Sequence, residues 1–342
     1  MYEAFYKLRA KPFQLSPDPR FYFGSKGHKR AMAYLEYGLS LGEGFIVITG
    51  DVGAGKTTLV RNLFKKLESE NIVAAQLVST QLDAEDTLRM VAAAFGVEHE
   101  GISKSALLNN LERFLMAATG EGKRVLLVVD EAQNLTERAV EELRMLSNFQ
   151  HGDKSLIQSF LLGQPEFRRT LQSASMQQLR QRVIASYHLG PMDADETRAY
   201  IEHRLNTVGW NKDPVFVDEA FTLIHGFTGG IPRRINTLCD RLMLFGFLEE
   251  RHRFEKAAIQ QVIDDLQLEV ASQDIPAAEM MPSERSLPSG QNGDFNRLEQ
   301  KVDLMEKSLN RMMPLVRKIL FMVSDKKPTN EFDDGAASAS KY

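Results

Sequence analysis

The chain has 342 residues, 43% of them hydrophobic, enough for one large domain with appendages and a sizeable buried core. A formal net charge of −4 excludes a global electrostatic pull towards nucleic acid or an anionic membrane surface. The single cysteine, Cys239, excludes an internal disulfide, and its apolar helical surroundings predict a buried core thiol.

The opening MYEAFYKLRAKPF has no unbroken apolar stretch behind its charges, so it does not read as a secretory signal. No window approaches the ~18 apolar residues of a spanning helix, and the expectation is a soluble, cytoplasmic protein. Short β-rich runs then alternate with amphipathic stretches. The predicted strands are Phe45–Thr49, Ile72–Val78, Val125–Val129, Ile157–Leu162 and Val183–Leu189. Alternation of this kind implies an α/β fold, a parallel sheet with helices on both faces.

From Asp193 the pattern is all helical. Asp193 and Glu196 predict a capping box opening one helix; a second ends near Gly226, and Pro232 starts a third. That third helix carries Ile231, Ile235, Leu238, Leu242 and Phe245 on one stripe, and Lys256–Val270 completes a small bundle. Residues 272–295 lose periodicity and gain Ser, Gly and Pro, which reads as a flexible linker. Beyond it Leu298, Val302, Met305, Leu309, Met312, Val316, Ile319 and Val323 form a heptad seam, an association helix over 296–323 that Pro314 should kink. Residues 324–342 are polar and predicted to be disordered.

The strongest chemical signal is Gly50-Asp51-Val52-Gly53-Ala54-Gly55-Lys56-Thr57, followed by Thr58, directly after the strand FIVIT and before a helical run. It matches the phosphate-binding loop G-x-x-x-x-G-K-[ST]. The glycines let backbone N–H groups curl round phosphate oxygens, and the following helix aims its positive end at the same anion. Lys56 would reach the β- and γ-phosphates, and the Thr57 hydroxyl would bind Mg²⁺. The run Val125–Val129 ends in Asp130 and Glu131, expected one strand over from the loop. Asp130 is the candidate for the Mg²⁺ shell and Glu131 for orienting or deprotonating the attacking water.

Gln164, at the end of the next strand, could hydrogen-bond the γ-phosphate or the water, or serve only as the turn residue before Pro165. Arg180 and Arg182 in LRQRV could reach a neighbouring subunit's γ-phosphate, or be surface arginines in a connection. Arg233 lies roughly opposite the apolar stripe of its helix, free to meet the γ-phosphate; Arg234 sits nearer the stripe. The seven histidines show no metal-ligand spacing. The segment around Phe13–Phe23 is a candidate cover for the base.

With these motifs in place, the chain resembles the AAA+ ATPases of the ExeA/GspA-like secretion group, most closely those associated with PEP-CTERM/exosortase and exopolysaccharide loci. The resemblance rests on FYKLRAKPFQLSPDPRFYF, GHKRAMAYLEYGL, GDVGAGKTT, LLVVDEAQNL, EELRMLSNF, LLGQPEFRRTL, LRQRV and GGIPRRIN, in order over roughly residues 1–270. It implies ATP rather than GTP, a five-stranded sheet and a helical lid. It also implies Gln164 as a sensor on the fourth strand, Arg233 as the lid sensor, and Arg180 or Arg182 as a finger acting in trans. The resulting division is an arm over 1–25, an AAA+ α/β domain over 26–191, a lid over 192–271, the linker, the heptad helix and the tail.

Members of that group act near the inner membrane. Some carry a transmembrane segment and a peptidoglycan-binding part after the ATPase, where this sequence has a linker and a heptad helix. The expectation is therefore a homo-oligomer that docks on inner-membrane or envelope export proteins through the heptad helix. A DNA-associated ATPase of the transposition or origin-recognition type is the runner-up, disfavoured by the acidic balance and the absence of a concentrated basic stripe. A low-turnover, ATP-dependent assembly switch is the third reading.

Overall fold

The computed structural model describes residues 1–78 and 83–273. The expected heptad helix, the expected disordered tail and all but the first two residues of the expected linker lie outside the described residues.

Five strands form one parallel sheet: β1 (Phe45–Gly50), β2 (Ile72–Val78), β3 (Arg124–Asp130), β4 (Gln158–Gly163) and β5 (Val183–Leu189), in the order β2-β3-β4-β1-β5. Each agrees with its sequence expectation to within a residue at either end. The central strands β1, β3 and β4 are buried at every position but Arg124, because both sheet faces are covered. Alternation decides which residue serves which face. Phe45, Val47, Leu127, Val129 and Leu161 enter one core, while Ile46, Ile48, Leu126, Val128, Phe160 and Leu162 enter the other.

Helices α1 (Lys26–Leu41) and α2 (Lys56–Leu67) cover the second face. The first is covered by α3 (Ala84–Ala94), α4 (Lys104–Gly120), α5 (Glu137–Leu146) and α6 (Pro165–Gln172). Their starts are chemically marked: the side chains of Ser25, Asp83, Ser103 and Thr136 each accept a backbone N–H of the first turn. One expectation needs correction. The acid-bearing strand β3 does not adjoin β1, because β4 runs between them. Strand order depends on which crossover packs where, and no local pattern in the sequence encodes it.

The helical part consists of α7 (Ala194–Thr207), α8 (Asp218–Thr228), α9 (Pro232–Leu248) and α10 (Lys256–Gln273). The capping box at Asp193 is present in both directions: Glu196 N–H donates to Asp193 Oδ1 at 2.8 Å and Asp193 N–H to Glu196 Oε2 at 3.3 Å. Helix α8 runs two residues past Gly226 and stops where Gly229 takes the left-handed conformation at φ 60°. Cys239 is fully buried in the bundle core.

That core is not made by the four helices alone. Tyr2, Tyr6, Leu8, Phe13 and Phe21 pack into the same cluster as Ile201, Leu238, Leu242 and Ile259. The first two dozen residues, read in sequence as an arm, supply about a fifth of the helical domain's apolar interior.

Candidate nucleotide site

The loop between β1 and α2 turns where Gly53 (φ 82°) and Gly55 (φ 100°) take conformations that L side chains resist. Space demands glycine as well. A Cβ on Gly53 would collide with the Arg233 side chain, and one on Gly55 would sit 2.7 Å from His28 Nε2. Helix α2 begins at Lys56 with no side-chain cap on its first N–H groups, leaving them available to an anion.

Lys56 is 5% exposed, and its ammonium donates to the carbonyls of Gly50 (2.7 Å) and Asp51 (3.1 Å). Burial lowers its pKa, with Glu131 and Asp130 acting in the opposite direction. The Thr57 hydroxyl donates to Asp130 Oδ2 at 2.9 Å, so the loop and the tip of β3 meet directly across the end of β4. Burial raises the Asp130 pKa, opposed by the Thr57 bond and by the Glu131 N–H, which donates to Oδ1 at 3.0 Å.

Glu131 sits in the left-handed region at φ 55°, which turns the chain sharply after β3. Its carboxylate is held from two sides. Gln133 Nε2 donates to Oε2, and Gln164 Nε2 donates to the same oxygen at 3.3 Å. Gln133 Oε1 in turn accepts the Gln164 backbone N–H at 2.9 Å, closing the cluster. Gln133 escaped the sequence reading, although its place two residues after the second acid was visible.

Arg233 opens α9 against the loop, its backbone N–H donating to the Gly53 carbonyl at 3.2 Å, and it lines the cavity while Arg234 does not. Val52, Gly53, Gly55, Lys56, Thr57, Thr58 and Glu131 line the same cavity. Its far side is built from Gln14–Asp18 and Phe21–Phe23, facing Tyr200, Arg204 and Asn236 of the helical part. Of the segment expected to cover a base, these residues line the cavity, whereas Phe13 is buried in the helical core.

Arg180 and Arg182 lie elsewhere. Arg180 donates to the carbonyls of Leu171 and Ser173, each at 2.7 Å, and Arg182 to Ser147 and Asn148. Both precede the start of β5, whereas the cavity lies at the carboxyl ends of the strands, so neither arginine lines it. His28, also missed in the sequence, packs on the phosphate loop. Its Nδ1 pairs with Ser25 Oγ at 2.7 Å, and burial lowers its pKa.

The residues fit a magnesium ion. Thr57 and Asp130 offer hard oxygen donors side by side, and Mg²⁺ is commonly bound by one or two protein oxygens together with substrate phosphates. Among the described residues no cluster of three acidic, His or Cys side chains could hold a metal.

Residues 40–171 match the family model described as an AAA domain. Of solved structures, Cdc6p from Pyrobaculum aerophilum matches with TM-score 0.57 at 15% identity, covering 73% of this chain and 69% of that one. The ADP form of the Aeropyrum pernix ORC2 protein matches with TM-score 0.54 at 16% identity, covering 74% and 71%. The core has the AAA+ fold. The five-stranded sheet and helical lid implied by the resemblance are both present, and α7–α10 are hereafter the lid. In sequence the chain is 38% identical over 254 residues to general secretion pathway protein A of Aeromonas hydrophila, across 74% of this chain and 46% of the relative. It thus spans about half the length of that relative.

Proposed function

We propose that this chain is an ATPase that hydrolyses Mg-ATP to drive or regulate a bacterial envelope export system, of the secretion or exopolysaccharide-assembly kind. One observation carries the enzymatic part: the Thr57–Asp130 contact brings a phosphate loop and a strand-end acid pair to one point, with Glu131 clamped beside it by two glutamines. A loop that merely bound phosphate would not need the second acid held in place.

In this reading the backbone N–H groups of the loop and the first turn of α2 cradle the phosphates. Lys56 leaves the carbonyls of Gly50 and Asp51 for the β- and γ-phosphate oxygens, a short move because its ammonium already lies within the loop. Thr57 and Asp130 would hold a magnesium ion, which would supply neutralisation of the phosphates' negative charge. Glu131 accepts the proton of the attacking water, while Gln133 and Gln164 fix its carboxylate. Arg233 reaches the γ-phosphate from the lid, and its backbone bond to Gly53 makes lid position depend on the loop's state. Arg180 or Arg182 would serve a neighbouring subunit's site, which requires release from its present intrachain bonds.

The export assignment follows the similarity to general secretion pathway protein A, and the specific link to exopolysaccharide loci follows the motif resemblance. The working form is a homo-oligomer docked by residues 296–323 on inner-membrane or envelope proteins. Among the described residues no helix is long and apolar enough to cross a membrane. Nucleic acid is not a partner in this reading, so a DNA titration at physiological salt should show no tight binding.

Phosphate release with ATP and Mg²⁺ tests the enzyme; Lys56→Ala should abolish it, and wild-type turnover in that variant would refute the site. A pull-down with and without residues 296–323 tests the docking: envelope proteins retained equally by both forms would remove the helix from its role.

A further inference from the structure

The cavity reaches well past the phosphate loop, and its inner wall is a buried polar chain that the phosphate chemistry does not use. Arg204 Nη1 donates to the Tyr200 hydroxyl at 2.8 Å, and that hydroxyl donates to Asn236 Oδ1 at 2.9 Å. All three residues line the cavity, and all three are buried, Asn236 to 6% exposure.

The direction of the chain follows from its donors. A guanidinium can only donate, so the Tyr200 oxygen accepts from Arg204, and its own proton goes to the Asn236 carbonyl oxygen, the acceptor it reaches among the described residues. Burial raises the pKa of Tyr200, which keeps that proton in place. The oxygen end of the Asn236 amide is therefore taken. Its Nδ2 end has no hydrogen-bond partner among the described residues. That end opens on the cavity and is not sealed from it, so it is free to donate to an acceptor that enters.

Position says which acceptor. Arg233 N–H on the Gly53 carbonyl sets the first turn of α9 on the phosphate loop. Asn236 lies three residues on, on the same side and about 5 Å further along the helix axis. Tyr22 of the N-terminal segment lines the same cavity, as does Phe21, whose ring lies against the Arg204 guanidinium. Phosphates held by Gly53–Thr58 leave this end of the cavity to the nucleoside.

We propose that Asn236 is a nucleoside-binding residue, its amide N–H₂ donating a hydrogen bond to the sugar–base part of the bound nucleotide. The assignment rests on the nucleotide-site reading above and adds the residue that tells a nucleotide from a bare phosphate chain. Arg204 is its positioning partner. The guanidinium also donates to the carbonyls of Pro12 and Gln14 and lies 4.6 Å from the Phe21 ring centroid, so it orients the amide and ties the facing wall to the lid at once.

The test is calorimetric titration of the full chain with Mg-ATP and, separately, with Mg-tripolyphosphate. Asn236→Ala should weaken ATP binding about tenfold, the affinity equivalent of one ordinary hydrogen bond, and leave tripolyphosphate affinity unchanged. Asn236→Asp, which turns the donor into an acceptor, should weaken ATP further, again sparing tripolyphosphate. Tyr200→Phe frees the amide to rotate and should cost ATP about threefold; it keeps the question answerable if a buried aspartate prevents folding. Lys56→Ala must weaken both ligands. ATP affinity within twofold of wild type in Asn236→Ala overturns the assignment, and so does equal loss for ATP and tripolyphosphate, which would mark a distorted loop. Failure of the wild-type chain to bind either ligand has a different meaning, because it removes the nucleotide site itself.

Discussion

Replacing Gln133 by alanine probes how the proposed hydrolysis is organised, because Gln133 touches neither phosphate loop nor metal pair. It makes two bonds in the cluster: it donates to the Glu131 carboxylate and accepts the Gln164 backbone N–H at 2.9 Å. A hydrogen bond to a charged group contributes about 1.5–3 kcal/mol, and here it fixes the carboxylate that must meet the attacking water. What remains is the 3.3 Å bond from Gln164, whose own backbone anchor the same substitution removes. If the loss is felt in the transition state, kcat should fall about 10- to 150-fold. ATP affinity should stay within about twofold, because no phosphate contact is removed. Steady-state phosphate release with saturating Mg-ATP gives the first quantity and equilibrium titration of ATP the second. Gln164→Ala provides an internal comparison: it loses the longer bond to Glu131 but leaves Gln133 in place, so any larger effect there must come from a phosphate or water contact. Wild-type kcat in Gln133→Ala would refute the idea that the glutamine pair holds Glu131 for chemistry.

Three further outcomes are expected. Gly53→Ala combines a left-handed backbone, costing about 1–2 kcal/mol, with a collision against Arg233; its thermal midpoint should drop by several degrees and its ATP affinity should fall, and an unchanged affinity would show that the loop adapts. Thr57→Val removes the hydroxyl but keeps the volume; ATP turnover should be lost while Asp130 is left without its 2.9 Å donor, and retention of Mg²⁺-dependent turnover would take Thr57 out of the metal shell. Arg180→Ala and Arg182→Ala should each be tested by mixing with Lys56→Ala chains, which are inactive but carry intact arginines. Recovery of turnover in one mixture identifies the finger acting in trans, and recovery in neither excludes both.

The legibility of this molecule followed the range of its interactions. The central strands could be read because two-sided burial leaves near-continuous apolar runs, and the phosphate loop because glycines, lysine and threonine act within eight consecutive residues. The Asp193 capping box and Pro232 were equally local and equally plain. Strand order was not: nothing near Val125–Asp130 records that β4 comes to lie between β3 and β1. Gln133 was within reach of the motif, yet only the left-handed turn at Glu131 folds its amide back onto the carboxylate. The Arg204–Tyr200–Asn236 chain was beyond reach, since Tyr200 and Asn236 look like ordinary polar positions on two separate helices until the lid packs them together. The same holds for the first residues, whose aromatic side chains join a core built almost two hundred positions later.

The central claim is that Glu131 does chemistry on a triphosphate held by Lys56, Thr57 and Asp130. Its most direct test is the identity of the nucleotide retained by Glu131→Gln after incubation with labelled ATP and Mg²⁺, followed by removal of free ligand. The account predicts intact ATP on the variant and ADP on the wild-type chain. ADP on Glu131→Gln, formed at the wild-type rate, would contradict it.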